Sequence, residues 1–265
     1  MLCVTVFAFF HFEAGEPTEF VGLANFGRLL ADRWFTSSVI LTGTFVSIAT
    51  LVEVSLGLLI ALALDACPKA KGLFRPLLAL PLLLSPVVVG IVWRHALNEQ
   101  SGFGANALQA LFGAGARPLS SPAGAFLSIL SVDVWQWAPL AALLISLSLD
   151  SAREKLDDLV CVDRVTKTQA LWNIWMPQIW PLIALVALIR AVDALRTFDV
   201  IQVLTAGGPG AATELLSLFV YKQVIKFGNF GYAAAGALAL LLTSSLLLFV
   251  ATRWIGRSWK QRSSP

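Results

Sequence analysis

DSAREKLDDLVCVDRVTKTQALWNIWMP, running from Asp150 to Pro177, is a charged island set between two long apolar runs. Ser151 with Glu154, and Thr166 with Gln169, both fit the capping box, in which a hydroxyl and a carboxylate or carboxamide three residues on satisfy each other's backbone N–H groups. Leu156, Leu159 and Val160, then Leu171, Ile174 and Trp175, recur at helical spacing. The island is therefore predicted to hold two capped amphipathic helices. Linking two neighbouring spans would need only a few polar residues. Two capped helices point instead to a surface offered to another protein on that side of the membrane.

The flanking runs set the class. The chain has 265 residues, of which 57% are hydrophobic and 13% charged, against about 25% charge in a soluble domain. This is the composition of an all-α, polytopic integral membrane protein. A net charge of +3 is too small to argue for nucleic acid. Cys3, Cys67 and Cys161 are widely spaced, with no metal or redox pattern. His11 and His95 join no metal or nucleophile constellation. No G-x-x-x-x-G-K-[ST] occurs, and Gly207–Gly210 lacks the lysine and hydroxyl of a phosphate cradle. H-E-x-x-H and G-x-S-x-G are also missing, so the chain is not expected to be an enzyme or to bind a cofactor.

A span needs about 20 apolar residues, which predicts helices over 38–64, 73–93, 124–149, 177–197 and 231–252. Leu2 to Phe12 has about half that length and reads as the end of a first, incomplete helix, for about six spans in all. With 65–72, 150–176 and the tail placed inside, that side holds Lys69, Lys71, Arg75, Arg153, Lys155, Arg164, Lys167, Arg253, Arg257, Lys260 and Arg262. The longer outside segments hold only Arg28, Arg33, Arg94, Arg117, Lys222 and Lys226. This asymmetry puts the island and both chain ends in the cytoplasm.

Several groups stand out within the apolar runs. Pro76, Pro81 and Pro86 should bend one span or break its hydrogen-bond ladder, either as a flexible helix lining a path or as a tolerated kink. Glu53 lies near the middle of the 38–64 run, where an ionisable group faces protein or water. It either touches a polar substrate or pairs with a cation such as Arg190. Arg190 with Asp193, and Arg196 with Asp199, are one helical turn apart; each pair either neutralises itself or lines a polar cavity opening outside. Gly231 with Ala235, and Ala233 with Ala237, let helices approach closely.

PheValGlyLeuAlaAsnPhe at 20–26, the Pro81 region leading to Val92-Trp93-Arg94, and above all PheAspValIleGlnValLeuThrAlaGlyGlyProGly at 198–210 followed by Thr213-Glu214 carry a resemblance. The chain resembles the permease subunits of bacterial ATP-binding-cassette importers for sugars, the type I systems for maltose, trehalose and glycerol-3-phosphate. Gly207, Gly208 and Pro209 fall in the most specific motif. The resemblance implies the type I transmembrane fold, with a partial first helix and outer segment over 1–37, a permease core over 38–255, and a basic tail over 256–265. It makes 150–176 the loop that couples to the ATPase, patterned on E-A-A-x-x-D-G-A. Asp163 falls on the family aspartate, Asp158 on its first glutamate, and Gln169 and Leu171 on later positions. Leu159 and Val160 replace the two alanines, and Arg164 replaces the glycine that permits a tight turn. The resemblance further implies a bacterial inner-membrane location, a second permease, a cytoplasmic ATPase dimer that uses the ATP and Mg, and an extracytoplasmic sugar-binding protein. Two other classes fit the composition. An ion-coupled transporter would use Glu53 or Asp193 as its ion site, and a membrane-embedded enzyme would need a polar catalytic cluster at one face.

Overall fold

Backbone N–H and C=O groups in hydrocarbon have no water to bond, so an apolar chain satisfies them internally as helices. The computed structural model, described for residues 2–13, 15, 18–113, 117–162 and 166–262, follows that rule almost throughout. Four stretches among the described residues are long and apolar enough to cross a membrane: Arg33–Ala66, Pro122–Glu154, Leu171–Ala194 and Phe230–Phe249. A broken pair, Pro68–Leu83 with Pro86–Ala96, makes a fifth.

The N-terminal run departs from expectation. Helix α1 covers Leu2–Phe7, only about 9 Å at 1.5 Å per residue. The chain then leaves the helix, and strand β1 (Phe10–His11) pairs antiparallel with β2 (Glu19–Phe20). Buried Asn25, in helix α2 (Ala24–Ala31), accounts for the exit: its Nδ2 donates to the carbonyls of Ala8 at 3.0 Å and Phe10 at 2.9 Å. Those carbonyls no longer need helical partners.

Helix α3 spans Arg33–Ala66 and starts before the predicted 38. Asp32 caps it, with Oδ1 accepting from the Trp34 amide at 2.8 Å. The predicted 73–93 span is two helices, α4 (Pro68–Ala79) and α5 (Pro86–Ala96), joined by a 3₁₀ turn at Leu80–Leu83. Pro86 pushes Ser85 out of the helical region, to φ −62°, ψ 137°. Buried Gln136 donates to the Leu84 carbonyl at this break, at 3.1 Å. Helix α6 (Phe103–Phe112) follows.

Helix α7, Pro122–Val162, runs on past the predicted end at 149 and through Ser151. The Ser151–Glu154 box therefore starts no helix. A capping hydroxyl acts only where the preceding chain is non-helical, and here Leu149 and Asp150 are already in α7. Thr166 does cap: helix α8 (Lys167–Ala170) begins immediately after it. A π turn at Leu171–Trp175 leads into α9 (Met176–Ala194), the Met176 amide bonding back to the Leu171 carbonyl. Pro177 explains the wider turn, because it lacks the N–H that the Asn173 carbonyl would accept. Helices α10 (Asp199–Leu204), α11 (Leu216–Ile225) and α12 (Phe230–Arg262) complete the chain.

The chain forms two compact units. One comprises residues 48–84, 133–191 and 248–265. Its core gathers Ala61, Ala141, Ile145, Leu149, Trp175, Ile179 and Ile183. A side chain at Gly57 would come within 2.6 Å of the Ala141 Cβ, so glycine lets α3 and α7 meet there. The other unit comprises 1–47, 85–132 and 192–247. Ala8, Leu29, Phe35, Leu216, Phe219, Tyr232 and Ala235 pack in its core. In it the Leu216 amide at the start of α11 donates to Thr42 Oγ1 at 2.8 Å, giving that helix a cap supplied by α3.

Candidate functional site

The C-terminal end of the charged island is built by one reciprocal pair. Gln169 Oε1 accepts from the Thr166 amide at 3.1 Å, and Thr166 Oγ1 accepts from the Gln169 amide at 3.4 Å. This is the expected capping box; its two residues are exposed, and the helix it starts ends on buried Ala170. Leu171, in the following π turn, packs against the core around Ala141 and Trp175. Asp158 falls on the last turns of α7; its side chain, together with Asp163 and Arg164, lies outside the described residues.

Beside this segment sits a group of charges drawn from separate parts of the sequence. Asp150 on α7 accepts from Lys71 and Arg75 of α4, both at 2.5 Å. Arg75 also donates to Ser146 Oγ at 2.7 Å. Arg153, one turn beyond Asp150, donates to Asp65 at the end of α3 at 2.5 Å. Its guanidinium lies 4.3 Å from the ring centroid of Trp175. Asp65 is also 3.4 Å from Lys71. Sequence reasoning assigned Lys71, Arg75 and Arg153 only to a positive side and missed these contacts.

Deeper in the same unit, Arg190 of α9 meets Glu53 of α3. Its Nε and Nη2 donate to the two carboxylate oxygens at 2.5 and 2.8 Å. Nη2 also reaches Asp133 of α7 at 3.1 Å, and the guanidinium lies 4.7 Å from the Trp137 ring centroid. Side-chain exposure is 1%, 0% and 2% for Arg190, Glu53 and Asp133. Of the two readings of Glu53, the geometry supports the ion pair. Asp133 was missed, although the rule that singled out Glu53 applies to it equally. Asp193, one turn after Arg190, is half-buried, and Arg196 and Asp199 are exposed.

In the other unit, the stretch after α10 turns sharply. Ala206, Gly207, Gly210 and Ala211 all have positive φ, and the Gly208–Pro209 peptide is cis. Thr213, fully buried, donates to the Gly208 carbonyl at 2.9 Å and lies 2.7 Å from Thr205 Oγ1. Lys222 pairs with Glu214. Gly208 and Pro209 line a cleft of about 520 Å³ with Arg94, Asn98, Glu99 and Ser120. Glu99 accepts from the Ser120 amide at 3.0 Å, and hydrogen bonding from Ser120 holds its carboxyl below the usual glutamate value. Among the described residues, no three His, Cys, Asp or Glu side chains gather as a metal site.

The sequence matches a known transport family. The sequence pattern of "Binding-protein-dependent transport system inner membrane component" matches residues 53–261. The chain belongs to that family. Over 229 residues this permease is 31% identical to the trehalose/maltose transport system permease protein MalF of Thermococcus litoralis, covering 86% of the chain and 76% of the relative. It is 29% identical to the sn-glycerol-3-phosphate transport system permease protein UgpA of Agrobacterium fabrum, covering 86% and 78%. Its fold matches a chain of a bacterial ABC transporter involved in import of the acidic polysaccharide alginate, with TM-score 0.83 and 20% identity over 97% of this chain and 88% of that one. The fold is thus the type I importer transmembrane fold. An inner-membrane permease of this family is not itself an enzyme.

Proposed function

We propose that this chain is one permease half of a sugar importer, driven by a cytoplasmic ATPase dimer and supplied by an extracytoplasmic binding protein. The observation that carries the reading is the capped helix that Thr166 and Gln169 start on the charged island. A cap there starts a short helix whose capping residues Thr166 and Gln169 are themselves exposed, as the edge of a docking surface requires. Permease relatives named for trehalose, maltose and glycerol-3-phosphate transport support a sugar or sugar-derivative substrate.

In this reading both chain ends and residues 150–176 face the cytoplasm, and Asp158 and Asp163 supply docking contacts. ATP and Mg bind on the partner subunits. Closure of the ATPase dimer shifts the permease pair between two packings, one open to each side, and sugar crosses in the exchange. Of the two carboxylates that the ion-coupled alternative would use, Glu53 and Asp193, the first has both oxygens accepting from Arg190.

The test is a pull-down in mild detergent of wild type and of a variant with Asp158→Lys and Asp163→Lys. Co-purification of a cytoplasmic ATPase with wild type and its loss from the variant supports the reading. Absence of an ATPase from folded wild type removes it.

A further inference from the structure

We propose that Arg153 and Asp150 are the positioning residues through which movement of the docking segment reaches α3 and α4. The inference rests on the reading of 150–176 as that segment. The two residues are three apart on α7, so their side chains leave one face of the helix. Each grips a different piece of the chain. Arg153 holds Asp65 at the end of α3, and Asp150 holds Lys71 and Arg75 on α4. Arg153 also lies over Trp175, in the turn through which the chain leaves the island. It therefore joins both arms of the docking segment, α7 before it and the π turn after it, to the end of α3.

The chemistry suits a link that has to keep register. Apolar helix faces slide over one another at little cost, but charge-assisted hydrogen bonds are short and directional. Exposure of the paired side chains runs from 9% for Asp65 to 37% for Asp150. Water screens such pairs less than it screens surface pairs, while they stay wet enough to form and break. Ser146 and Asp150, one turn apart, both accept from Arg75, which fixes α4 along α7 as well as against it. Helix α4 is the first arm of the broken span that ends at Leu84–Ser85. A pull on α7 is thus handed to the part of the chain whose backbone ladder is already interrupted.

The experiment uses the complete importer reconstituted in liposomes with its ATPase and binding protein. Arg153→Asp, Asp65→Arg and the double exchange are compared for sugar imported per ATP hydrolysed, with ATPase retention measured by pull-down. The singles should keep the ATPase bound yet lower the transport ratio by about tenfold, a typical coupling between sites. The double exchange should restore the share carried by the Arg153–Asp65 pair, while the contact with Trp175 stays lost. Should Arg153→Asp fail to fold, Asp150→Asn changes no volume and reads the same ratio. An unchanged ratio in folded singles overturns the proposal, as does a double exchange as poor as either single. If wild type itself retains no ATPase, the docking reading fails and this inference falls with it. An unchanged ratio with the ATPase still bound removes the inference alone.

Discussion

Arg190 Nε and Nη2 grip both oxygens of Glu53 across 137 residues of sequence, with neither side chain open to solvent. Asp133 adds a second carboxylate at 3.1 Å. Bringing charges into a low-dielectric interior is costly, and paired geometry offsets that cost only while every partner is present. The group ties α3, α7 and α9 together inside one unit, so it acts on the packing of the helices rather than on their individual stability.

Removing one member should then be worse than removing the pair. Arg190→Met leaves Glu53 and Asp133 uncompensated and is expected to cost about 3–5 kcal/mol. Combining it with Glu53→Leu should recover part of that loss, since only Asp133 then remains charged. Thermal unfolding of the purified variants in one detergent checks both. A double variant less stable than Arg190→Met would contradict the pairing.

The spans were legible because hydrophobic length reports lipid thickness directly: 38–64, 124–149 and 231–252 all lie inside observed helices. The same signal says nothing about where a helix stops once it leaves lipid, so the continuation of α7 through Ser151 was not visible. A capping box is a local pattern, and it works only where the backbone before it is free; Thr166 met that condition and Ser151 did not. The break at Ser85 followed from Pro86. The Arg190 group was half legible: Glu53 and Asp133 are each the one charged residue of their apolar runs, yet no local pattern says that they share a partner. The contacts of Asp65, Lys71, Asp150 and Arg153 were not legible at all. No sequence spacing relates Asp65 to a partner 88 residues away.

Gln136 should prove necessary to the broken span. Its Nε2 is the donor for the Leu84 carbonyl at the break. Gln136→Leu leaves that carbonyl unsatisfied at a cost of about 1–3 kcal/mol. The expected result is a lower unfolding temperature and faster amide exchange at Val88 and Val89, and exchange unchanged there would count against the role.

The turn at Gly207 predicts a sharp sensitivity. Its φ is +88°, and an added Cβ would lie 2.7 Å from Lys222 Nζ. Gly207→Ala therefore both strains the backbone and displaces the lysine that pairs with Glu214. Strain of this kind costs about 1–3 kcal/mol, whereas Gly27→Ala, with open space around it, should be near neutral. Equal stability of the two variants would refute the argument.

The α8 cap gives a local prediction. Thr166→Ala removes the hydroxyl that accepts from the Gln169 amide and should cost the helix about 1 kcal/mol. Thr166→Ser keeps the acceptor and should retain most of it. Amide exchange at Gln169 and Ala170 reads the difference directly, and identical exchange in both variants would mean the cap contributes nothing.

Glu99 makes the 98–101 loop acid-sensitive. Its carboxyl is held below the ordinary glutamate value of about 4.3 by hydrogen bonding from Ser120, and Oε1 accepts from the Ser120 and Leu119 amides. A carboxyl depressed in the folded state contributes stability that is fully present above its unfolded pKa and is lost as pH falls through the folded value. The link between this loop and residues 119–120 should therefore persist at pH 5 and loosen only once the pH falls below the ordinary glutamate value. Amide exchange at Leu119 and Ser120, corrected for intrinsic acid dependence, should rise over that window in wild type. In Glu99→Gln the same amides should exchange faster at pH 7 and show no further acid-dependent rise. A wild-type link already lost by pH 5 would show that the carboxylate is not held by these donors.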